Sequence, residues 1–321
     1  MGLSRRNFLK AAAGGGLLAA SQFSPVPVLA REPRPRLPEA LGILYDATLC
    51  IGCKACMTAC KEYNNLPPDP SSPEGLWDDP LDLSAKTFNI VKLYTSGSGK
   101  TKDQEQDGYS FIRRFCMHCV DPACTSACPV AALSKDPVTG IVRYNKDLCI
   151  GCRYCQIACP FGVPKFQWDT PFPQIKKCQL CDHRIAKGSY PACCEVCPNG
   201  ASIFGEVQAL RQEAKRRLKL PAGSQATFPL QRIDTGEYRY APVGHYFPRV
   251  YGEVDGGGTQ VLILAGVPFA KLGLPDLPPE STASRSETLM HTLYKGMIGP
   301  YVLLAGLFYL VYRHTNTQDL P

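Results

Sequence analysis

Sixteen of the chain's seventeen cysteines fall into four groups of four. Cys50, Cys53, Cys56 and Cys60 are spaced C-x2-C-x2-C-x3-C; Cys149, Cys152, Cys155 and Cys159 repeat that spacing, with Pro160 next. Cys116, Cys119, Cys124 and Cys128 read C-x2-C-x4-C-x3-C, and Cys178, Cys181, Cys193 and Cys197 read C-x2-C-x11-C-x3-C. Two intervening residues let successive thiolates turn inward on one cage of iron and sulfide, and the three-residue step sends the fourth sulfur to a neighbouring cage. Sixteen thiolates are enough for four 4Fe–4S clusters. The chemistry such a set supports is one-electron transfer. Pro129, Pro160 and Pro198 each follow a fourth cysteine, where they fix the backbone and remove a donor. Lys61 takes that place after the first tetrad, which predicts a helix running on through it.

Two other uses of cysteine compete with this one. A disulfide framework suits an exported cysteine-rich chain, but C-x2-C pairs so close together make poor partners, and a chain of 321 residues needs no staples. Structural zinc also takes C-x2-C pairs, usually two of them, whereas these tetrads carry an extra cysteine in each half. Cys194 is left over and reads as a small buried filler, with an exchange of roles with Cys193 as the alternative.

The elements that must carry these thiols can be read in outline. Residues 61–115 form an insertion that opens with Pro67, Pro68, Pro70, Pro73 and Pro80 and continues into a strand over 88–94. Thr95 to Thr101 ends in Gly-Lys-Thr, but Tyr94 stands where a phosphate-binding loop needs glycine. Polar residues follow where an apolar helix should, so the segment reads as a surface turn. Residues 132–144 read as a hairpin turning at Asp136, Pro137 and Gly140. Val207, Leu210, Ala214 and Leu218 recur at helical spacing, predicting one amphipathic helix over the cluster core. Strands follow at 232–240 and 261–264, separated by the glycine run 256–258. The outer tetrads bracket the inner two. Nested pairing, first with last and second with third, avoids crossed connections, while sequential pairing satisfies the spacing equally. His118 and His183 lie within cysteine loops, where either a structural role or a hydrogen bond to sulfur is open to them.

The two ends point to a membrane. Ser4-Arg5-Arg6-Asn7-Phe8-Leu9-Lys10 followed by an Ala/Gly-rich apolar run is a twin-arginine export signal, with a cleavage site after Ala30. Clusters need reduced thiols, so a chain that loads them before export must cross the membrane folded. Met297 to Tyr312 is an uncharged run of sixteen residues, about 24 Å as a helix. Tyr294, Lys295 and Arg313 at its flanks extend it toward the ~30 Å a membrane anchor needs. Pro300 is placed in its first turn. The formal charge is +7, and removal of Arg5, Arg6 and Lys10 with the signal leaves +4, too little for a nucleic-acid footprint.

Together these motifs resemble the four-cluster ferredoxin-like subunits of membrane-bound respiratory oxidoreductases, in particular the HybA-type iron–sulfur subunits of hydrogenase-2, a periplasm-facing nickel–iron hydrogenase. Beyond the cysteine frame, the resemblance rests on Arg5-Arg6-Asn7-Phe8, on 116–122, on Cys152-Arg153-Tyr154-Cys155, on 256–261 and on 291–297. It implies an α+β fold of two pseudo-symmetric ferredoxin-like modules, each with two 4Fe–4S clusters, an inserted subdomain and a C-terminal transmembrane helix. The organisation expected is a signal at 1–30, a four-cluster core at 31–205, a covering segment at 206–290, and an anchor and tail at 291–321.

The resemblance also implies nested ligation. Cys50, Cys53, Cys56 and Cys197 would hold one cluster, and Cys60, Cys178, Cys181 and Cys193 a second. Cys116, Cys119, Cys124 and Cys159 would hold a third, and Cys128, Cys149, Cys152 and Cys155 a fourth. The chain would then be a non-catalytic conduit in the periplasm, anchored to the inner membrane. It would carry electrons from the hydrogenase small and large subunits to an integral-membrane quinone-reacting subunit. Formate dehydrogenase and other molybdopterin enzymes use similar subunits, which makes them the alternative. A stand-alone reductase is disfavoured because no flavin or nucleotide fingerprint is present.

Overall fold

The computed structural model describes residue 32 and residues 34–316; the export signal at 1–30 lies outside the described residues. In chain order the elements are β1 (Leu41–Asp46), α1 (Ala55–Tyr63), β2 (Ile90–Thr95), β3 (Thr101–Lys102), β4 (Gly108–Arg114), α2 (Ala123–Ser126), β5 (Leu133–Lys135), β6 (Val142–Tyr144), α3 (Tyr154–Ala158) and β7 (Lys165–Phe166). They continue as β8 (Ile175–Lys176), α4 (Asp182–Ile185), α5 (Ala192–Glu195), β9 (Ser202–Glu206), α6 (Val207–Leu218), β10 (Gln225–Pro229), β11 (Tyr238–Pro242), β12 (Val261–Leu264) and α7 (Thr282–Asn316). Residues Glu32–Ser284 form one compact unit, and the helix from Arg285 onward belongs to another.

A three-stranded sheet ordered β12-β1-β9 organises the first unit, with β1 parallel to β12 and antiparallel to β9. Side chains alternate across a strand, so this sheet has two working faces. Ile43, Tyr45, Val261, Ile263 and Phe204 share a core with Cys193 and Cys194, and Cys50, Cys56, Cys119 and Cys178 pack against it. Leu44, Ile203, Leu262 and Leu264 point the other way and are covered by Leu210 and Ala214 of α6. The covering helix stands where its periodicity predicts. Gly42 permits the close approach of β12: a Cβ there would sit 1.9 Å from the Gln260 carbonyl oxygen.

The modules repeat in local detail. Gly52 and Lys54 are left-handed in the first tetrad, and Gly151 and Arg153 take the same conformation in the third. Each pair bends the loop ahead of the helix, so Cys50 and Cys53 precede α1 and Cys56 lies in its first turn, as Cys149 and Cys152 precede α3 and Cys155 lies in its first turn. In the second and fourth tetrads His118 and Leu180 are left-handed, and Pro122-Ala123-Cys124 and Pro191-Ala192-Cys193 open α2 and α5. β1 leads into the first tetrad and β9 leaves the fourth, paired antiparallel; β5 leaves the second and β6 leads into the third, paired the same way. As predicted, α1 runs through Cys60 and Lys61.

The insertion supplies a sheet ordered β2-β4-β3. Thr95 closes β2, a turn follows, and no helix begins at Thr101, in keeping with the rejection of a phosphate loop. The expected strand at 232–240 is corrected: a hairpin of β10 and β11 occupies 225–242, with a turn through the middle of the predicted segment. The sequence reading missed β10 because its alternation is short and bounded by Pro221 and Pro229.

At the C-terminal end the expectation is also corrected. α7 is one helix of 35 residues, and Pro300 lies in its interior, not its first turn. No helix among the described residues is long and apolar enough to cross a membrane, so the expected transmembrane anchor is not supported. The uncharged run is only sixteen residues, below the roughly 20 a span requires. From Tyr301 to Tyr312 its apolar side chains are exposed.

Candidate iron–sulfur centres

The structure draws the cysteines into four groups. Cys50, Cys53, Cys56 and Cys197 line a cavity together with Tyr45 and Ser202. Cys60, Cys178, Cys181 and Cys193 line a second, with Asn89 and Arg113. Cys128, Cys149, Cys152 and Cys155 line another. Cys116, Cys124 and Cys159 are the thiols whose charge bears on Cys119, which makes the fourth group. These sets run first tetrad with last and second with third. Cys194 lines none of the three cavities; it is fully buried in the core beside the central sheet.

Among the described residues no three His, Cys, Asp or Glu side chains converge on a single ion. In three places four thiols instead line a common space, a donor set that thiolate-held clusters use. Four soft thiols around each space fit such a cluster.

Desolvation dominates the electrostatics. Burial pushes the Cys56 and Cys124 thiols up to about 12 and Cys155 up to about 11. It also raises Cys50, Cys60, Cys119 and Cys178. Free thiols here keep their protons at neutral pH, so loading must release them to the incoming metal. Two thiols are exceptions: at Cys149 burial is outweighed by hydrogen bonds from Tyr144 and from backbone amides, which hold it below its ordinary value, and Cys193 is the other. A hydrogen bond with the Cys194 thiol and the nearby Arg113 guanidinium hold it below its ordinary value, although burial acts the other way.

Polar residues around the cavities went unread in the sequence. Arg113 on β4 is 1 % exposed. It donates from Nε to Asn89 Oδ1 at 2.9 Å, from Nη1 to Ser202 Oγ at 2.7 Å and from Nη2 to Cys193 Sγ at 3.1 Å. Asn89 in turn donates to the Cys56 carbonyl at 2.9 Å. Lys135 Nζ donates to the carbonyls of Cys119 and Gly140, and Lys177 Nζ to those of Val142 and Cys178. The only signal for these residues is a basic side chain beside a cysteine loop, which surface lysines share. The two histidines part company. His118 is fully buried, and its Nδ1 accepts from the Val142 amide at 3.0 Å. Burial lowers its pKa, and the neighbouring Lys177 and Lys135 lower it further, which keeps it neutral. His183 is exposed on α4.

Fold and cavities define a protein of the 4Fe–4S dicluster class, twice over. The 4Fe-4S dicluster domain family matches residues 108–207, and a second family of the same description matches residues 42–129. The chain is 51% identical over 320 residues to the hydrogenase-2 operon protein HybA of Escherichia coli O157:H7, covering 98% of this chain and 97% of that protein; the Shigella flexneri protein matches equally. It is 33% identical over 263 residues to the iron-sulfur subunit of the nitrate-inducible formate dehydrogenase of Escherichia coli K12, covering 80% of this chain and 77% of that one. The chain belongs to the HybA family. It is an iron–sulfur electron-transfer subunit, and its two dicluster regions provide for four 4Fe–4S clusters.

Proposed function

We propose that this chain is the electron conduit of a periplasmic nickel–iron hydrogenase, receiving electrons from the hydrogenase subunits and delivering them to an integral-membrane quinone-reacting subunit. The carrying observation is the set of thiol-lined cavities. When bound, each cluster supplies one-electron chemistry at a thiolate-held centre. The chain's own residues divide the work. Cys50, Cys53, Cys56 and Cys197 hold the first cluster; Cys60, Cys178, Cys181 and Cys193 the second. Cys116, Cys119, Cys124 and Cys159 hold the third, and Cys128, Cys149, Cys152 and Cys155 the fourth. The core around them, with Ile43, Tyr45, Ile263 and Phe204, keeps water away and fixes the sulfurs.

The chain has no catalytic role of its own in this reading, and the nickel–iron centre belongs to another polypeptide. Export follows the twin-arginine signal at 5–6, with the body of the protein in the periplasm. Membrane attachment falls to the quinone-reacting partner, to which α7 offers its exposed apolar run from Tyr301 to Tyr312. Identity of 51% to the HybA protein against 33% to the formate dehydrogenase subunit favours hydrogenase over a molybdopterin enzyme.

Affinity purification of the chain from detergent-solubilised membranes, followed by metal analysis, tests this. The expected result is a nickel-containing large subunit and more than about sixteen irons per copy of this chain, about sixteen of them from its own four clusters. Co-purifying molybdenum would transfer the conduit to the other enzyme class. Zinc with little iron would end the electron-transfer reading altogether.

A further inference from the structure

Among the described residues two arginines are almost completely buried, Arg113 and Arg217, and they are neutralised in different ways. Arg217 lies between carboxylates, 2.9 Å from Asp46 and 2.8 Å from Glu213. Arg113 has no such partner among the described residues: its hydrogen bonds go to Asn89, Ser202 and the Cys193 sulfur. Its guanidinium also lies 3.7 Å from the centroid of the Phe115 ring. Asn89 and Ser202 are neutral and buried, at 3 % and 2 % exposure. A buried cation without a counter-charge is costly, and neutral dipoles do not remove that cost. Sulfur is the available counter-charge. Arg113 lines the cavity of Cys60, Cys178, Cys181 and Cys193, and Asn89 ties it to the Cys56 carbonyl of the neighbouring cavity.

We infer that Arg113 is a fixed internal counter-cation that raises the reduction potential of the second cluster strongly and of the first cluster more weakly, setting this pair apart from the fourth. This rests on the four-cluster reading above. A one-electron reduction adds a negative charge to the cluster, and a cation held nearby in a low-dielectric interior favours that charge. The hydrogen bond to Cys193 acts in the same direction by drawing electron density from the ligand sulfur. Nothing holds Arg113 by size alone; four neutral or sulfur partners surround a charge that two buried carboxylates would otherwise satisfy, as they do at Arg217. Other cations are distributed over the sites: Lys135 reaches the carbonyl of Cys119 in the third group, Lys177 that of Cys178 in the second, and Arg153 lines the fourth, but neither Arg113 nor any of its hydrogen-bond partners lines the fourth cavity. The fourth is therefore the internal reference.

The test is an EPR-monitored redox titration of the full chain purified anaerobically, in wild type, Arg113→Gln and Arg113→Lys. Iron and acid-labile sulfide are counted first. In Arg113→Gln the midpoint of one cluster falls, that of a second falls less, and the fourth cluster stays at its wild-type value. Loss of the most shifted signal in Cys181→Ala assigns it to the second cavity. Arg113→Lys keeps the charge and shows a smaller fall than Arg113→Gln. Unchanged midpoints in Arg113→Gln overturn the inference while leaving the four-cluster reading intact, as does an equal fall in all signals or a Lys variant no better than the Gln variant. If Arg113→Gln fails to load four clusters, full loading of Arg113→Lys supports the counter-charge role, and failure of both shows a purely steric role and overturns it. A wild-type chain without cubane iron overturns the underlying reading first.

Discussion

The ligand grouping has a consequence that a double substitution exposes. Cys53 and Cys197 lie far apart in sequence and in different loops, yet both line one cavity with Cys50 and Cys56. Replacing either with alanine strips one thiolate from that site, which then loses its cluster or keeps a three-iron remnant. Iron falls from about sixteen to between about twelve and about fifteen per chain. Removing both takes two ligands from the same cage, leaving too few to hold a cube, and the count settles at about twelve with the other three signals intact. Two independent cages behave differently. Under sequential pairing the losses add, giving about eight irons, or about fourteen with two three-iron signals. The assay is iron and sulfide content of anaerobically purified protein together with low-temperature EPR of its oxidised and reduced forms. Cys53 is exposed, so its substitution leaves the packed core in place and the comparison clean. A double variant at about eight irons, or one showing two distinct three-iron species, refutes the grouping.

Two further outcomes concern the frame around the sites. Burial pushes the Glu213 carboxyl up, but hydrogen bonds from Arg216 and Arg217 outweigh it and hold the group below its ordinary value of 4.5. A lowered acid pKa stabilises the fold above the unfolded value, and that stability is lost as pH falls through the folded one. Glu213→Gln therefore weakens the fold at neutral pH by about 1.5–3 kcal/mol, and the difference from wild type shrinks as pH drops below about 4.5; urea midpoints of cluster bleaching measure it, and a pH-independent difference contradicts the argument. Gly42→Ala places a methyl 1.9 Å from the Gln260 carbonyl oxygen and 2.8 Å from Val207 Cγ2, while that carbonyl accepts from the Ile43 amide at 3.1 Å. It costs at least about 1–3 kcal/mol in the same assay, whereas Gly306→Ala, with open space around it, does not lower stability.

What could be read from sequence was what chemistry writes locally. A C-x2-C loop has to turn two sulfurs inward within a few residues, so its spacing is visible, and so is the 3.6-residue repeat that lays Leu210 and Ala214 on β1 and β12. The C-terminal helix was misjudged at its start for an equally local reason. Pro300 read as a first-turn proline, but the cap lies earlier, where Ser281 Oγ accepts from the Ser284 amide at 3.1 Å. Arg113 could not be read at all. In Phe-Ile-Arg-Arg-Phe-Cys nothing separates the buried arginine from its half-buried neighbour Arg114, because the difference is made by Asn89, just ahead of β2, and Ser202 of β9.

Pairing of the tetrads is long-range, yet a local trace of it exists. Cys-Ile-Gly-Cys followed by a basic residue occurs at 50–54 and again at 149–153, and Pro-Ala-Cys at 122–124 and again at 191–193. If the two halves arose as copies of one module, the copy that contains the second and third tetrads as neighbours must correspond to the one split between the first and fourth. The insertion and the inner module then separate two parts of a single unit, and β9 must return to β1 to close it. The antiparallel register Ile43↔Phe204 is that closure, and it brings Ser202 beside Arg113 and Cys197 beside Cys50 in the same movement.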